Sequence, residues 1–335
     1  MKQTKYLFNP GRLSRRDNTL KFTPVDEEGK EGEPRYLPVE QISDLYVFGN
    51  LDANSALYNF LGKEGIAVHF FDYYEHYTGS FMPREYLLAG KMQVEQTKHY
   101  MTGKKRIVVA QAFVEGAGCN ILRVLKYYNN RDRDLTSAID TIDKLLLSVP
   151  TMPDVPTLMG IEGNIRQTYY GCFDAIVGEI FTMNGRSKRP PLNELNALIS
   201  LGNMLCYSAC LSMIYHTQLN PTISFLHEPG ARRYSLALDM AEIFKPILID
   251  RLIFRMVNKR QLQASDFRTD INGCVMKDAA RKRFVQEFDA SLKETIKHRS
   301  LGRSVSYKYL IKLECYKLQK HLLGIETYKP FKAWW

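Results

Sequence analysis

The stretch G-S-F-M-P-R-E-Y-L-L, residues 79–88, decides how the chain divides. Before it, short apolar runs rich in β-branched and aromatic residues alternate with turn signals; after it, apolar residues recur at helical spacing. Gly79 and Pro83 punctuate the change, because neither continues a strand or a helix comfortably. The expectation is an α+β protein, with a small N-terminal β domain over residues 1–83 and a larger, nearly all-α C-terminal domain over residues 84–335. A length of 335 residues agrees with two domains.

On the N-terminal side, residues 6–8 and 19–22 flank a turn-rich segment containing Asn9, Pro10, Gly11, Asp17 and Asn18, which predicts an opening hairpin. Residues 42–48 and 66–71 read as further strands, with a short helix over residues 54–62 between them. The aromatics Phe70, Phe71, Tyr73, Tyr74 and Tyr77 suit sheet packing or a subunit interface better than a base-stacking platform. On the other side, the periodicity predicts helices over residues 85–101, 104–128, 135–148, 155–181, 192–218, 235–259, 278–297 and 305–323. Asn272-Gly273 between two short runs predicts a small hairpin over residues 267–276.

Composition narrows the function. Hydrophobic residues make up 45% and charged residues 24%, which suits a globular chain and argues against extensive disorder. A net charge of +10 favours a polyanionic partner, nucleic acid or an anionic membrane surface. The six cysteines form no C-x-x-C pair, and with no signal peptide evident they read as reduced thiols of a cytoplasmic protein. Cys206, Cys210 and His216 could be read as a metal site, but burial in a core is the reading preferred. Residues 195–219 carry no Asp, Glu, Lys or Arg and are long enough to span a bilayer. Their many polar groups, Asn196, Ser200, Asn203 and His216 among them, point instead to a buried bundle helix and no membrane. Asn196, Ser200 and Asn203 fall on one face, a polar stripe directed at a site.

The chemistry concentrates in F-L-H-E-P-G-A-R-R-Y-S-L-A-L-D-M-A-E-I-F-K-P, residues 225–246. Gly230 interrupts any helix through His227, and Ser235 is a good N-cap for a new one. Asp239 and Glu242 then share a helical face at i and i+3. Two acids there repel unless a cation joins them, and a divalent ion with His227 as a neutral nitrogen ligand would do so. A solvated acidic edge is the bland alternative. Glu162, between Gly160 and Gly163, is a further acid; the glycines imply either a close approach of backbone or ligand, or a helix start with an acid in its first turn.

The blocks G-I-E-G-N-I-R-Q-T-Y at 160–169, R-P-P-L-N-E-L-N-A-L-I-S at 189–200, L-N-P-T-I-S-F-L-H at 219–227 and S-L-A-L-D-M-A-E-I-F-K-P at 235–246 resemble, in order and spacing, the CRISPR-associated integrase family, the universal Cas-one proteins. The resemblance implies an N-terminal β domain that forms a homodimer and a helical catalytic domain holding one divalent metal. Carried over by motif, Glu162, His227 and Glu242 would be the metal ligands, with Asp239 the accompanying catalytic acid. Carboxylates with one imidazole suit Mg²⁺ or Mn²⁺ better than zinc. The resemblance further implies an endonuclease and integrase that joins the 3′-hydroxyl ends of captured double-stranded DNA to the CRISPR repeat by transesterification. It also implies a small Cas-two partner bridging two dimers. Arg166, Arg232 and Arg233 are candidate phosphate contacts. The competing class is a non-catalytic basic DNA-binding scaffold.

Overall fold

A computed structural model of the chain describes all residues except Met1, Glu27, Tyr73, Glu75, residues 84–88, 231–233 and 271–272, Ser300 and Trp335. It divides into two compact units, Met1–Tyr86 and Leu87–Trp335.

The first unit holds β1 (Gln3–Leu7), β2 (Gly11–Arg16), β3 (Thr19–Pro24), β4 (Arg35–Pro38), β5 (Ile42–Val47), β6 (Leu51–Asp52), α1 (Ser55–Glu64), β7 (Ala67–Phe71) and β8 (Tyr77–Phe81). The opening hairpin differs from the expected one. Its arms are β2 and β3, turning at Asp17-Asn18, with Leu13 opposite Phe22. Strand β1 joins a different sheet, parallel to β5, with Leu7 opposite Val47. The turn signals at Asn9-Pro10-Gly11 therefore mark a passage between sheets rather than part of a hairpin loop. The two sheets run β1-β5-β7-β8 and β4-β3-β2-β6. Between β5 and the parallel β7 lies α1, started by the Asn54 side chain accepting from Leu57 N–H at 3.0 Å. Leu20, Ile42, Leu45, Leu61, Ile66 and Val68 are fully enclosed, forming one core beneath both sheets. Phe71 packs on Phe48, with ring centroids 4.5 Å apart, so part of the aromatic cluster is sheet packing; Tyr73 lies outside the described residues.

The second unit is mainly helical: α2 (Gly90–Met101), α3 (Gly103–Asn129), α4 (Thr136–Ser148), α5 (Val155–Tyr170), α6 (Phe173–Val177), α7 (Glu194–Tyr215), α8 (Ser235–Lys245) and α9 (Arg251–Asn258). A hairpin of β9 (Phe267–Asp270) and β10 (Gly273–Met276) follows, then α10 (Asp278–Lys293), the pair β11 (Thr295–Lys297) and β12 (Ser304–Ser306), and α11 (Tyr307–Leu322). Three expected helices are divided. The one expected over 155–181 breaks at Gly171, the one expected over 278–297 gives its last residues to β11, and α8 passes into α9 through a π-helical turn, Pro246–Asp250.

Helix α7 is almost entirely buried within the unit, as expected of a central bundle helix, and much of α3 is buried as well. The close seat of the π-helical turn on α7 depends on Gly202, whose missing Cβ would collide with the Ile249 side chain. Helix α3 packs on both α5 and α8. All six cysteines are free, and Cys206 and Cys210 are core residues.

Candidate active site

Two helices bring four charged side chains together. Glu162 lies in the middle of α5, and Arg166, one turn on, donates from Nε to Glu162 Oε1 at 3.1 Å. From α8, Glu242 receives Arg166 Nη2 on Oε2 and Lys245 Nζ on Oε1, the latter at 2.6 Å. Glu162, Arg166, Glu242 and Lys245 side chains are 17%, 12%, 8% and 14% exposed, so their attraction is only weakly screened. Local sequence assists the contact. An α-helix would satisfy the Glu242 carbonyl with the N–H of residue 246, but Pro246 has none, and Arg166 Nη2 approaches that oxygen at 3.5 Å.

Burial by itself would raise the Glu242 carboxyl; the charges of Arg166, Lys245 and His227 outweigh it and hold the group well below the usual carboxylate range. The same pairing keeps both cations protonated. Burial works against Arg166 and Lys245, and the Glu242 charge raises each above its ordinary value.

His227 is positioned by Asp239, one turn before Glu242 on α8. The Asp239 side chain is fully buried; Oδ2 accepts from the N–H groups of Phe225 and Leu226 at 2.7 and 3.0 Å, and Oδ1 from His227 N–H at 3.0 Å and the imidazole Nδ1 at 2.8 Å. Both oxygens are thereby engaged, so Asp239 organises the 225–227 loop and orients the imidazole. With Nδ1 held by a carboxylate, Nε2 is the atom left to act as ligand or acceptor. Burial opposes protonation of His227, but the hydrogen bond and charge of Asp239, helped by Glu242, raise its pKa. The start of α8 departs from expectation: Ser235 is its first residue, and its hydroxyl donates to the Thr222 carbonyl at 2.8 Å instead of capping.

Of the two readings of the glycines around Glu162, the helix start is excluded. Glu162 lies well beyond the first turn of α5, and a Cβ on Gly160 or Gly163 would meet nothing within 4 Å. They leave open space on either side of the acid. Arg166, expected to contact phosphate, is engaged with the two glutamates. Arg232 and Arg233 lie outside the described residues.

Two participants escaped the sequence reading. Asp250, at the end of the π-helical turn, is buried, and burial pushes its carboxyl up to about 6 against the pull of Arg166, the Tyr169 hydroxyl and Lys245. The available signal was a single acid within the apolar run P-I-L-I-D. Arg186 is the second. Asn196 Oδ1 accepts its Nη1 at 2.8 Å and Ser200 Oγ its Nη2 at 3.1 Å, so the polar stripe of α7 holds a guanidinium.

The donor types suit a hard divalent cation: two carboxylates from separate helices already converge on one positive charge, beside an imidazole whose tautomer is set. Among the described residues, however, no group of three or more His, Cys, Asp and Glu side chains is gathered so as to hold a metal ion. The expected closure of Glu162, His227 and Glu242 on one point is thus not present. Arg166 and Lys245 hold the carboxylate oxygens and supply the neutralising charge, which a metal ion would have to displace.

Comparison with known proteins shows what the chain is similar to. The sequence profile described as CRISPR associated protein Cas1 matches residues 5–290. A protein of Thermodesulfovibrio yellowstonii named CRISPR-associated endonuclease Cas1 3 is 44% identical over 330 residues, 98% of this chain and 99% of that one. The solved structure of a CAS1 protein from Thermotoga maritima, 38% identical, superposes with a TM-score of 0.87 over 97% of this chain and 98% of that one. A casposase bound to integration product shares the fold, with a TM-score of 0.87 at 18% identity, covering 99% of this chain and 94% of that one.

Proposed function

Because the chain belongs to the CRISPR-associated Cas1 family, we propose that Glu162, His227 and Glu242 are the metal ligands of its catalytic centre, with Asp239 positioning His227. The protein is a DNA endonuclease and integrase of CRISPR adaptation. The observation supporting the residue assignment is the meeting of Glu162 and Glu242, far apart in sequence, on one buried guanidinium.

Bound Mg²⁺ or Mn²⁺ would polarise the scissile phosphodiester and stabilise the charge on the departing 3′ oxygen. The remaining work belongs to the chain. Glu162, His227 and Glu242 would hold that ion, Asp239 fixes the imidazole, and Gly160 and Gly163 leave room for a DNA backbone. Arg166 and Lys245 maintain a positive field where phosphate charge develops. With the 3′-hydroxyl of captured duplex DNA as nucleophile the reaction is transesterification at the repeat, and with water it is hydrolysis. Neither requires a protein nucleophile, because positioning and charge neutralisation lower the barrier.

The N-terminal unit forms the homodimer contact in this proposal, using exposed aromatics such as Tyr36 and Tyr74. A small Cas-two protein bridges two such dimers in the cytoplasm. Sedimentation of a chain starting at residue 84 should give monomers; a tight dimer would move the interface to the helical unit.

The deciding experiment incubates the protein with a 3′-hydroxyl duplex, a repeat-containing target and Mn²⁺, with and without EDTA. Strand transfer that EDTA abolishes is the expected result. A protein that binds DNA but transfers no strand with any divalent metal would be the scaffold instead.

A further inference from the structure

His227 stands on backbone that no regular element holds. Residues 216–230, between α7 and α8, form neither helix nor strand, so each N–H and C=O there needs a partner supplied from outside a ladder. Asp239 takes the N–H groups of residues 225–227. Several of the carbonyls are held from α2 and α3.

Helix α2 contributes a polar stripe at i, i+3 and i+7. Gln93 Nε2 donates to the Gln218 carbonyl at 3.0 Å. Gln96 is fully buried; its Nε2 donates to the carbonyls of Asn220 and Ile223 at 2.9 and 2.7 Å, and its Oε1 accepts from Asn220 N–H at 2.9 Å. Tyr100 donates its hydroxyl to Glu228 Oε2 at 2.9 Å. Arg106, in the first turn of α3, reaches both sides of the histidine: Nε donates to the Phe225 carbonyl at 2.8 Å and Nη2 to Glu228 Oε1 at 2.7 Å.

A cation in a basic protein invites reading as a phosphate contact, but the surroundings of Arg106 argue against it. Its side chain is 14% exposed, its guanidinium lies 4.5 Å from the Tyr100 ring centroid, and Nε and Nη2 are already donating. The group that faces solvent is Glu228, 68% exposed, whose charge repels phosphate. An ion pair with one exposed partner adds little to stability. The same pair fixes a direction, because the planar fork of Arg106 joins points on either side of His227.

Two anchors on different helices define a position that one alone does not. Asp239 ties the loop to α8, the helix of Glu242, and Arg106 ties it to α3, which packs on both α5 and α8. With Asp239 alone the loop is free to pivot about α8. A displacement of about 1 Å in a reacting group can cost about 10²-fold in rate.

We propose that Arg106 and Gln96 are positioning residues for the reaction, bracing the 216–230 loop so that the His227 imidazole keeps one place in the site. The effect on the reaction rests on the reading of His227 as a metal ligand; the bracing of the loop does not.

The test compares the full chain with its Arg106→Ala, Arg106→Lys and Gln96→Ala variants. The first readout needs no metal: hydrogen exchange of the metal-free protein, followed by mass spectrometry. Peptides within residues 216–230 should exchange at least about tenfold faster in Arg106→Ala and Gln96→Ala, with those of α7 and α8 unchanged. Faster exchange throughout the helical unit, or no change in the loop, would overturn the proposal. In strand transfer, kcat should fall about 10–100-fold with KM for DNA within about twofold, the pattern of a lost supporting group. A raised KM with kcat preserved would make Arg106 a phosphate contact and refute the assignment. Arg106→Lys keeps the charge without the fork, so it should restore only part of kcat, and it replaces Arg106→Ala if that variant does not fold. Full restoration would reduce the role to charge and sink the positioning reading. Calorimetry closes the cycle: Arg106→Ala should weaken Mn²⁺ binding about 10–100-fold beside an intact His227 and no further in His227→Ala. Equal losses in both backgrounds would show that Arg106 does not act through the imidazole. If His227→Ala by itself leaves Mn²⁺ binding and strand transfer intact, the metal-ligand reading falls, while the exchange measurement still decides whether the loop is braced.

Discussion

Glu242 and Asp250 are buried carboxylates of one helical rod, and their surroundings treat them oppositely. Glu242 has Arg166 on one oxygen and Lys245 on the other, and its carboxyl is held far down. Asp250 lies within the electrostatic reach of the same two cations but forms an ion pair with neither, and its carboxyl rises to about 6. Burial is common to both; direct contact with a cation is not. The charged end of the rod keeps the Glu242 carboxylate ionised, as the proposed metal ligand would have to be, whereas Asp250 remains within one or two pH units of protonation.

The largest expected effect breaks the Glu242 side of the comparison. Glu242→Ala or His227→Ala should lower strand transfer by at least about 10²–10³-fold, the scale of losing a group that stabilises transition-state charge, with DNA affinity nearly unchanged. An integration assay beside a duplex-binding titration checks this, and activity near that of the unaltered protein in either variant would remove that residue from the catalytic set.

Next is the cation the acids share. Arg166→Ala leaves Glu162 and Glu242 facing one another without their partner and should cost about 3–5 kcal/mol of stability. Denaturant unfolding measures the loss, and added Mn²⁺ should restore part of it if the two carboxylates can hold a metal. A loss that Mn²⁺ leaves untouched would count against the metal-ligand assignment.

Asp239→Asn tests the positioning role one turn earlier. The amide keeps the shape but loses the charge that orients the imidazole, so metal affinity measured by calorimetry should fall about 10–100-fold, less than when His227 is removed.

The smallest effect belongs to Asp250. Its pKa is higher in the folded protein than the ordinary 3.8, so the folded state binds the extra proton between about pH 4 and 6. Stability should therefore fall as pH rises through that window, by on the order of 1–3 kcal/mol, and stay lowered above it. Glu242 has the opposite sign: its depressed pKa contributes stability above about pH 4.5 that is lost as the solution is acidified. Asp250→Asn should remove the decline between pH 4 and 6 and stabilise the protein at neutral pH. Urea unfolding across pH 4–7.5 reads both, and an undiminished slope in the variant would assign the titration elsewhere.

Much of this was legible in the chain because it depends on local spacing. The change from strand to helical periodicity at Pro83, the helical face shared by Asp239 and Glu242, and the buried character of α7 all follow from side-chain period and apolar content. The motif blocks also pointed to Glu162 and His227, whose roles no local pattern could supply. Errors arose where two solutions share the same local signals. Turn residues at Asn9-Pro10-Gly11 fit a hairpin as well as a crossing between sheets, and only the pairing of β1 with β5 decides it. Similarly, Gly171 and Pro246 warned of irregularity without saying whether the helix would break or pass into a π-helical turn.

The sequence by itself determined which residues carry charge, where most of the helices lie, and that acids and a histidine are available for one centre. Only the tertiary structure decided which of those charges meet. The fold brings Arg166 of α5 onto Glu242 of α8 and keeps that carboxyl ionised, while Asp250, eight residues along the same rod, is buried without an ion pair to either cation. The energy of a buried charge depends on neighbours within a few ångströms, and those neighbours come from elements whose distance in sequence says nothing of their distance in space.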